Sequence, residues 1–233
     1  MPRPSSLAVR SWARRIIQLV VGVILYGVGV GLMVRAGLGV TPWDVLAQGL
    51  SLRTGLSFGL VTVIVGAVVL LLWIPIRQKP GVGTVLNVLL LGPSAEVTLL
   101  LVPAQTELWL QITALAGGIL VVGIATGLYV GARLGPGPRD GLMTGLHART
   151  RWPIWVVRTS IEVTVLLTGI LLGGHFGVGT VAFALLIGPI VNVTLPLLRV
   201  PERAGETAED GEAPGLEPPA PPADLTGYSS RSA

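Results

Sequence analysis

Sliding this chain along itself by 96 positions lays residues 27–102 on residues 123–198 without a gap, and about 32 of the 76 aligned residues are identical. The matches include Leu38-Gly39 with Leu134-Gly135, Pro42 with Pro138, Asp44 with Asp140, Arg53-Thr54 with Arg149-Thr150, the Gly-Val-Gly-Thr-Val strings at 81–85 and 177–181, and Gly92-Pro93 with Gly188-Pro189. A shared apolar composition does not align Asp with Asp or Arg-Thr with Arg-Thr, so this is an internal repeat. Each copy holds three long apolar runs, and an odd number reverses the chain direction between copies. The expected architecture is therefore an all-α polytopic membrane protein, with six transmembrane helices as two inverted three-helix repeats and a short interfacial or re-entrant helix in each.

The membrane assignment follows from composition and run length. Hydrophobic residues make up 51% of the 233 and charged residues only 12%, against roughly 25% charged in soluble domains. Six stretches, 16–34, 56–76, 82–102, 108–132, 154–173 and 178–198, approach the ~20 residues that cross a bilayer. The chain then divides into a basic N-terminus (1–15), repeat 1 (16–102), repeat 2 (103–198) and a Pro-, Ala- and Glu-rich tail (199–233) expected to be disordered for want of large apolar side chains. The first stretch is read as a retained span, not a cleaved signal, because it has a counterpart inside the chain. Trp12, Trp73, Trp109, Trp152 and Trp155 fall at or near span ends, where the indole prefers the headgroup level.

Charge sets the expected orientation. Twelve basic residues, among them Arg14, Arg15, Arg77, Lys79, Arg133, Arg139, Arg149, Arg151 and Arg199, alternate onto one face, against Arg35 and Arg53 on the other. The positive-inside rule then puts both termini in the cytoplasm, with the chain multi-pass in the cytoplasmic membrane. Residues 1–199 hold 14 Lys and Arg against 5 Asp and Glu, but these arginines flank apolar spans. The expected partner is the lipid bilayer, not nucleic acid. Zero Cys and two His, His147 and His175, exclude disulfide and thiolate chemistry and argue against a metal site. No nucleophile stands with a base, so neither enzyme activity nor a cofactor is expected.

Between the first and second span of each copy stand Thr41-Pro42-Trp43-Asp44 and Gly137-Pro138-Arg139-Asp140. Pro at a first helical position has no N–H to lose, the residue before it is an acceptable cap, and the Asp faces the unpaired N–H groups of the first turn. Residues 42–53 make about 18 Å of helix, too short for a core of about 30 Å. Such a helix either lies in the interface, its Asp serving only its own N-terminus, or dips in and returns, carrying Asp44 and Asp140 toward a shared centre.

A second pair of breaks is Gly83-Thr84 and Gly179-Thr180 at the start of the third and sixth spans, followed by Pro93 and Pro189 in mid-span. Two readings stand: packing kinks with small residues at helix contacts, or freed carbonyls that coordinate a cation beside Asn87 and Glu96 in one copy and Asn192 in the other. Ionisable groups inside spans cost about 2.5–3.5 kcal/mol on insertion scales, so Glu96, Arg158 and Glu162 call for partners. Arg158 and Glu162 are four apart and suited to pair on one helical face. They interrupt the repeat, as does Arg139, which stands opposite Trp43 and adds a cytoplasm-facing cation.

The strings Leu-Gly-x-x-Pro-Trp-Asp-x-Leu at 38–46, Pro-Gly-x-Gly-Thr at 80–84, Gly-Pro-Arg-Asp-Gly-Leu-Met at 137–143, Arg158 with Glu162, and Gly-Gly-x-x-Gly-x-Gly-Thr at 173–180 resemble the YczE/YitT-like family of bacterial integral membrane proteins. The resemblance covers roughly residues 15–198 and implies a multi-spanning protein of the bacterial cytoplasmic membrane.

The function expected from the repeat and the buried charge is a small secondary transporter or permease for an unknown solute or ion. Asp44 and Asp140 would stand near the access pathway, with Arg158 and Glu162 as the asymmetric pair. A passive channel, or a non-transporting scaffold that assembles with a membrane partner or a second copy, uses the same parts.

Overall fold

A computed structural model describes residues 6–200, and within them the chain is eight α-helices. These are α1 (Ser6–Ala36), α2 (Pro42–Thr54), α3 (Phe58–Ile76), α4 (Val82–Leu101), α5 (Leu108–Gly131), α6 (Pro138–Thr150), α7 (Ile154–Leu171) and α8 (Val178–Leu198). Residues 201–233 of the expected disordered tail (199–233) and the first five residues lie outside the described part. Six helices, α1, α3, α4, α5, α7 and α8, are long and apolar enough to cross a membrane. Helix α1 reaches back to Ser6 and so takes in residues 6–15 of the basic N-terminus, while the apolar span itself begins at Trp12.

The two short helices start where Pro and its preceding residue predict. Thr41 caps α2, its hydroxyl accepting from the Asp44 N–H, and Pro42 and Pro138 open the two helices. Gly55 ends α2 and Arg151 ends α6 in left-handed conformations, the usual C-terminal stop.

Close approach at glycines fixes how the spans run. Along α1, Gly22 abuts Leu128 and Tyr129, while Gly29 abuts Gly118 and Val122, so α1 and α5 are antiparallel. Gly27 lies against Leu91 and Ser94, and Gly31 against Thr98, so α1 and α4 run parallel. Gly123 against Ile190, Gly127 against Thr194 and Gly131 against Leu198 make α5 and α8 parallel in turn.

Each repeat is clasped by the loop of the other. The Gly83 N–H at the start of α4 donates to the Leu134 carbonyl at 2.7 Å, and Gly179 at the start of α8 donates to Leu38 at 2.7 Å. Both loops turn at a glycine in the same left-handed conformation, Gly39 at φ 114° and Gly135 at φ 117°, which a residue bearing Cβ rarely adopts. The Thr84 hydroxyl donates to the Pro136 carbonyl at 2.7 Å. These contacts give Gly83, Thr84, Gly179 and Thr180 a structural role. Pro93 and Pro189 lie within continuous helices. Near Pro93 the Ser94 hydroxyl occupies the Leu90 and Leu91 carbonyls.

The short helices are exchanged between repeats: α2 packs on α7, and α6 on α3. Helices α3 and α4 also pack together, Gly59 against Gly92 and Gly66 against Val88. The equivalent helices α7 and α8 make no comparable contact. The sequence also differs along this seam, with Trp155 where repeat 1 has Gly59 and Glu162 where it has Gly66, and a Cβ added at Gly188 would meet nothing within 4 Å.

Candidate functional site

The N-terminal turns of α2 and α6 meet inside the bundle. Trp43 is buried with Val69 and Trp73 of α3, Leu142 of α6, and the flanking Ile161 and Val165 of α7. On the Asp44 carboxylate, Oδ2 accepts from the Thr41 hydroxyl at 2.5 Å. Its other oxygen, Oδ1, is buried without a hydrogen bond. Arg139, from the opposite short helix, lies over the Trp43 ring, 5.0 Å from its centroid, and brings a guanidinium nitrogen to 3.8 Å from Asp44 Oδ1. The sequence placed this arginine among the cytoplasm-facing cations; the ring and the carboxylate together draw its guanidinium onto Trp43 and Asp44.

Asp140, next to Arg139, accepts a hydrogen bond from the Tyr129 hydroxyl at 3.3 Å. The Tyr129 ring packs edge-on against Tyr26, centroids 6.0 Å apart, and Tyr26 lies within electrostatic reach of Arg139, Asp44, Asp140 and Glu162. Burial pushes both aspartates above their ordinary carboxyl values. Arg139 and the Thr41 hydrogen bond oppose the shift at Asp44, and Arg158 followed by Arg139 oppose it at Asp140. Protonation would relieve either group of the cost of a buried charge.

Arg158 and Glu162 were expected to pair along one face of α7, but the ion pair among these groups joins Arg139 to Asp44. Glu162 is partly buried, and the charge of Arg139 acts on it more than that of Arg158. Arg158, exposed on α7, acts in turn on Asp140. The structure thus gathers Asp44, Arg139, Asp140, Arg158 and Glu162 into one cluster.

The remaining residues singled out by sequence sit elsewhere. Glu96 accepts from the Gly59 N–H at 2.7 Å and so caps α3. Asn192 faces outward from α8. Asn87 is buried on α4, between Thr84 and Leu91. Trp73, expected at the headgroup level, is 1% exposed, and its indole N–H donates to the Pro138 carbonyl at 3.0 Å beneath α6. Tyr26 and Tyr129 were missed by sequence reasoning. A tyrosine deep within an apolar span needs a partner for its hydroxyl, and that is the signal that points to them.

A crevice of about 260 Å³, bordered by Gly39, Val40, Gln48 and His175, opens beside the loop preceding Thr41. Among the described residues no group of three or more His, Cys, Asp or Glu is placed to hold a metal.

Three relatives are similar along most of this chain. An uncharacterised protein of Haemophilus influenzae is 38% identical over 85% of this chain and 92% of its own length. The membrane protein YczE of Bacillus subtilis is 33% identical over 75% of this chain and 82% of its own. YyaS of the same organism is 25% identical over 76% and 90%. No solved structure matches. A family described as of unknown function (DUF6198) matches residues 13–196, and with the YczE likeness this establishes the chain as a YczE-like membrane protein belonging to the DUF6198 family.

Proposed function

We propose that this protein is a small secondary transporter of the cytoplasmic membrane, built from two inverted repeats, with both termini in the cytoplasm. The observation that carries the reading is the charged cluster held between two exchanged short helices in an otherwise apolar bundle. Buried charge is costly in a bilayer and ordinarily marks an ion or solute path. Half-helices that meet at a pseudo-twofold axis are a recurrent way to build such a site.

Two further features support it. Helices α5 and α8 run opposite to α1 and α4, their repeat counterparts, as inversion requires. The repeats also differ where alternating access needs them to differ, α3 closed on α4 and α7 parted from α8. Exchange of those two arrangements would open the cluster to the opposite side.

The absence of native Cys makes the test direct. Single Cys at Gln48 and at Thr144, the same point in each repeat, are labelled on whole cells with an impermeant thiol reagent. Labelling at Gln48 alone is expected, and labelling at both positions overturns the inversion. Reconstituted protein is then assayed for saturable flux coupled to a proton or sodium gradient, which Asp44→Asn and Glu162→Gln should abolish. Non-saturating, uncoupled flux makes the protein a channel. Flux-free protein that co-purifies with one membrane partner and tolerates both substitutions makes it a scaffold.

A further inference from the structure

We infer that Trp43 and Asp44 form a binding site for a planar organic cation of the guanidinium or amidinium class, and that Arg139 is a tethered occupant which the ligand displaces. The inference deepens the transporter reading by naming a substrate class for the same cluster, and it rests on that reading only for the claim that the ligand is carried across the membrane.

The geometry already holds a guanidinium. Arg139 sits over the Trp43 face at 5.0 Å and opposite the Asp44 carboxylate at 3.8 Å. An aromatic face with a carboxylate beside it attracts a flat, N–H-rich cation through both charge and the ring quadrupole.

The fit is incomplete in a specific way. A charge-assisted N–H···O bond closes to about 2.7–2.9 Å, and Arg139 stops well short. Asp44 Oδ1 is left without a hydrogen bond, although Asp44 is 1% exposed. A buried acceptor left unsatisfied is costly, so a ligand that reaches it gains what the tether forgoes. A free cation is not bound to the α6 backbone and can close that distance. Thr41 holds the other carboxylate oxygen and fixes the direction in which Oδ1 points.

Charge favours a cation over an anion. Asp44 lies opposite Arg139, and two further carboxylates, Asp140 and Glu162, stand within electrostatic reach of Arg139 and Arg158. An anion would have to compete with Asp44 for Arg139, whereas a cation replaces Arg139 and releases it toward Glu162 and Asp140.

The repeat gives the arrangement a cause. Trp43 and Arg139 occupy the same position in the two copies, so the symmetry that brings the short helices together sets ring against guanidinium.

The test uses the purified full chain in lipid nanodiscs, titrated with methylguanidinium chloride, with sodium chloride and sodium benzoate as controls. Tryptophan fluorescence and the thermal midpoint are both read. Removing the tether in Arg139→Ala is expected to tighten methylguanidinium binding roughly tenfold or more, an amount in keeping with loss of an internal competitor held by one cation–π contact and one ion pair. Adding Asp44→Asn to that variant should abolish binding, and Trp43→Leu should weaken it while Trp43→Phe largely preserves it. If Arg139→Ala does not yield monodisperse protein, Arg139→Gln takes its place, with the same expectation. The inference is overturned if folded, tether-free protein does not bind methylguanidinium, if sodium chloride gives the same response, or if benzoate binds the wild type and loses its site with Arg139. Binding without flux overturns the transporter reading alone. Coupled flux of another solute by protein that does not bind methylguanidinium overturns this inference alone.

Discussion

At the scale of single residues, a polar side chain in this bundle does one of two jobs: it closes a backbone gap or it belongs to the central cluster. Glu96 is of the first kind. It satisfies a first-turn N–H of α3 from a neighbouring helix, and hydrogen bonds to charged groups contribute about 1.5–3 kcal/mol. Glu96→Ala should therefore lower the thermal midpoint measurably, Glu96→Gln much less, and neither should alter methylguanidinium binding. Thr84 offers a comparison inside one molecule. Its hydroxyl donates to Pro136 at 2.7 Å and accepts from Gly81 at 3.2 Å, whereas the Thr180 hydroxyl accepts from Gly177 at 3.5 Å. Thr84→Val should cost about 1–2 kcal/mol in chemical or thermal unfolding, and Thr180→Val distinctly less. Equal losses would show that the second clasp is as tight as the first. The residues of the cluster were partly legible in advance. Asp44 and Asp140 stood out as a repeated Pro-x-Asp, and Arg139 and Glu162 as breaks in the repeat. The partnership of Arg139 with Trp43 was not legible, because nothing in spacing along the chain says that residues 96 apart face one another.

At the scale of elements, the two repeats are an internal experiment on helix packing. Gly92 lets α4 touch the Gly59 backbone carbonyl, and a Cβ there would collide with it; Gly188, at the same place in α8, faces open space. Alanine in a helix is better than glycine by roughly 0.5–1 kcal/mol when nothing obstructs it. Gly188→Ala should thus be neutral or slightly stabilising, while Gly92→Ala should be destabilising, as measured by thermal unfolding in the same lipid. If Gly188→Ala proved as harmful as Gly92→Ala, α8 would have a neighbour that packs as closely as α3 does on α4. The short helices were legible from their caps, but their destination was not. Capping is local chemistry, and it specifies where α2 begins without specifying that α2 packs chiefly on α7.

At the scale of the whole molecule, the proposed transport makes the difference between the repeats a difference of state. The Cβ of a residue at position 66 would lie 3.6 Å from Val88 Cβ, inside the range of about 3.5–4.5 Å that a disulfide needs. A Gly66→Cys/Val88→Cys pair should oxidise readily. The equivalent Glu162→Cys/Ala184→Cys pair should not oxidise in this arrangement, and would do so only if the molecule visits the exchanged one. Mass spectrometry of the oxidised, Cys-free-background protein distinguishes these outcomes. Rapid oxidation of both pairs at once would mean that α7 and α8 pack like α3 and α4, removing the asymmetry on which the proposed alternating access rests.

The sequence by itself determined the helices, their approximate ends, the six apolar spans and the repeat, because run length, capping and self-similarity are properties of neighbours along the chain. It also marked Glu96, Arg158 and Glu162 as charges that would need company. The tertiary structure decided which company. Exchange of α2 and α6 between repeats, through the hydrogen bonds of Gly83 to Leu134 and of Gly179 to Leu38, carries Arg139 to Trp43 and Asp44 and brings the charge of Arg158 to act on Asp140 as well as on Glu162. It also turned Trp73 from a headgroup anchor into a buried support beneath α6. The physical reason is that charge and aromatic surface act through distance in space, and in a bundle of crossed helices that distance is set by which helix a loop clasps.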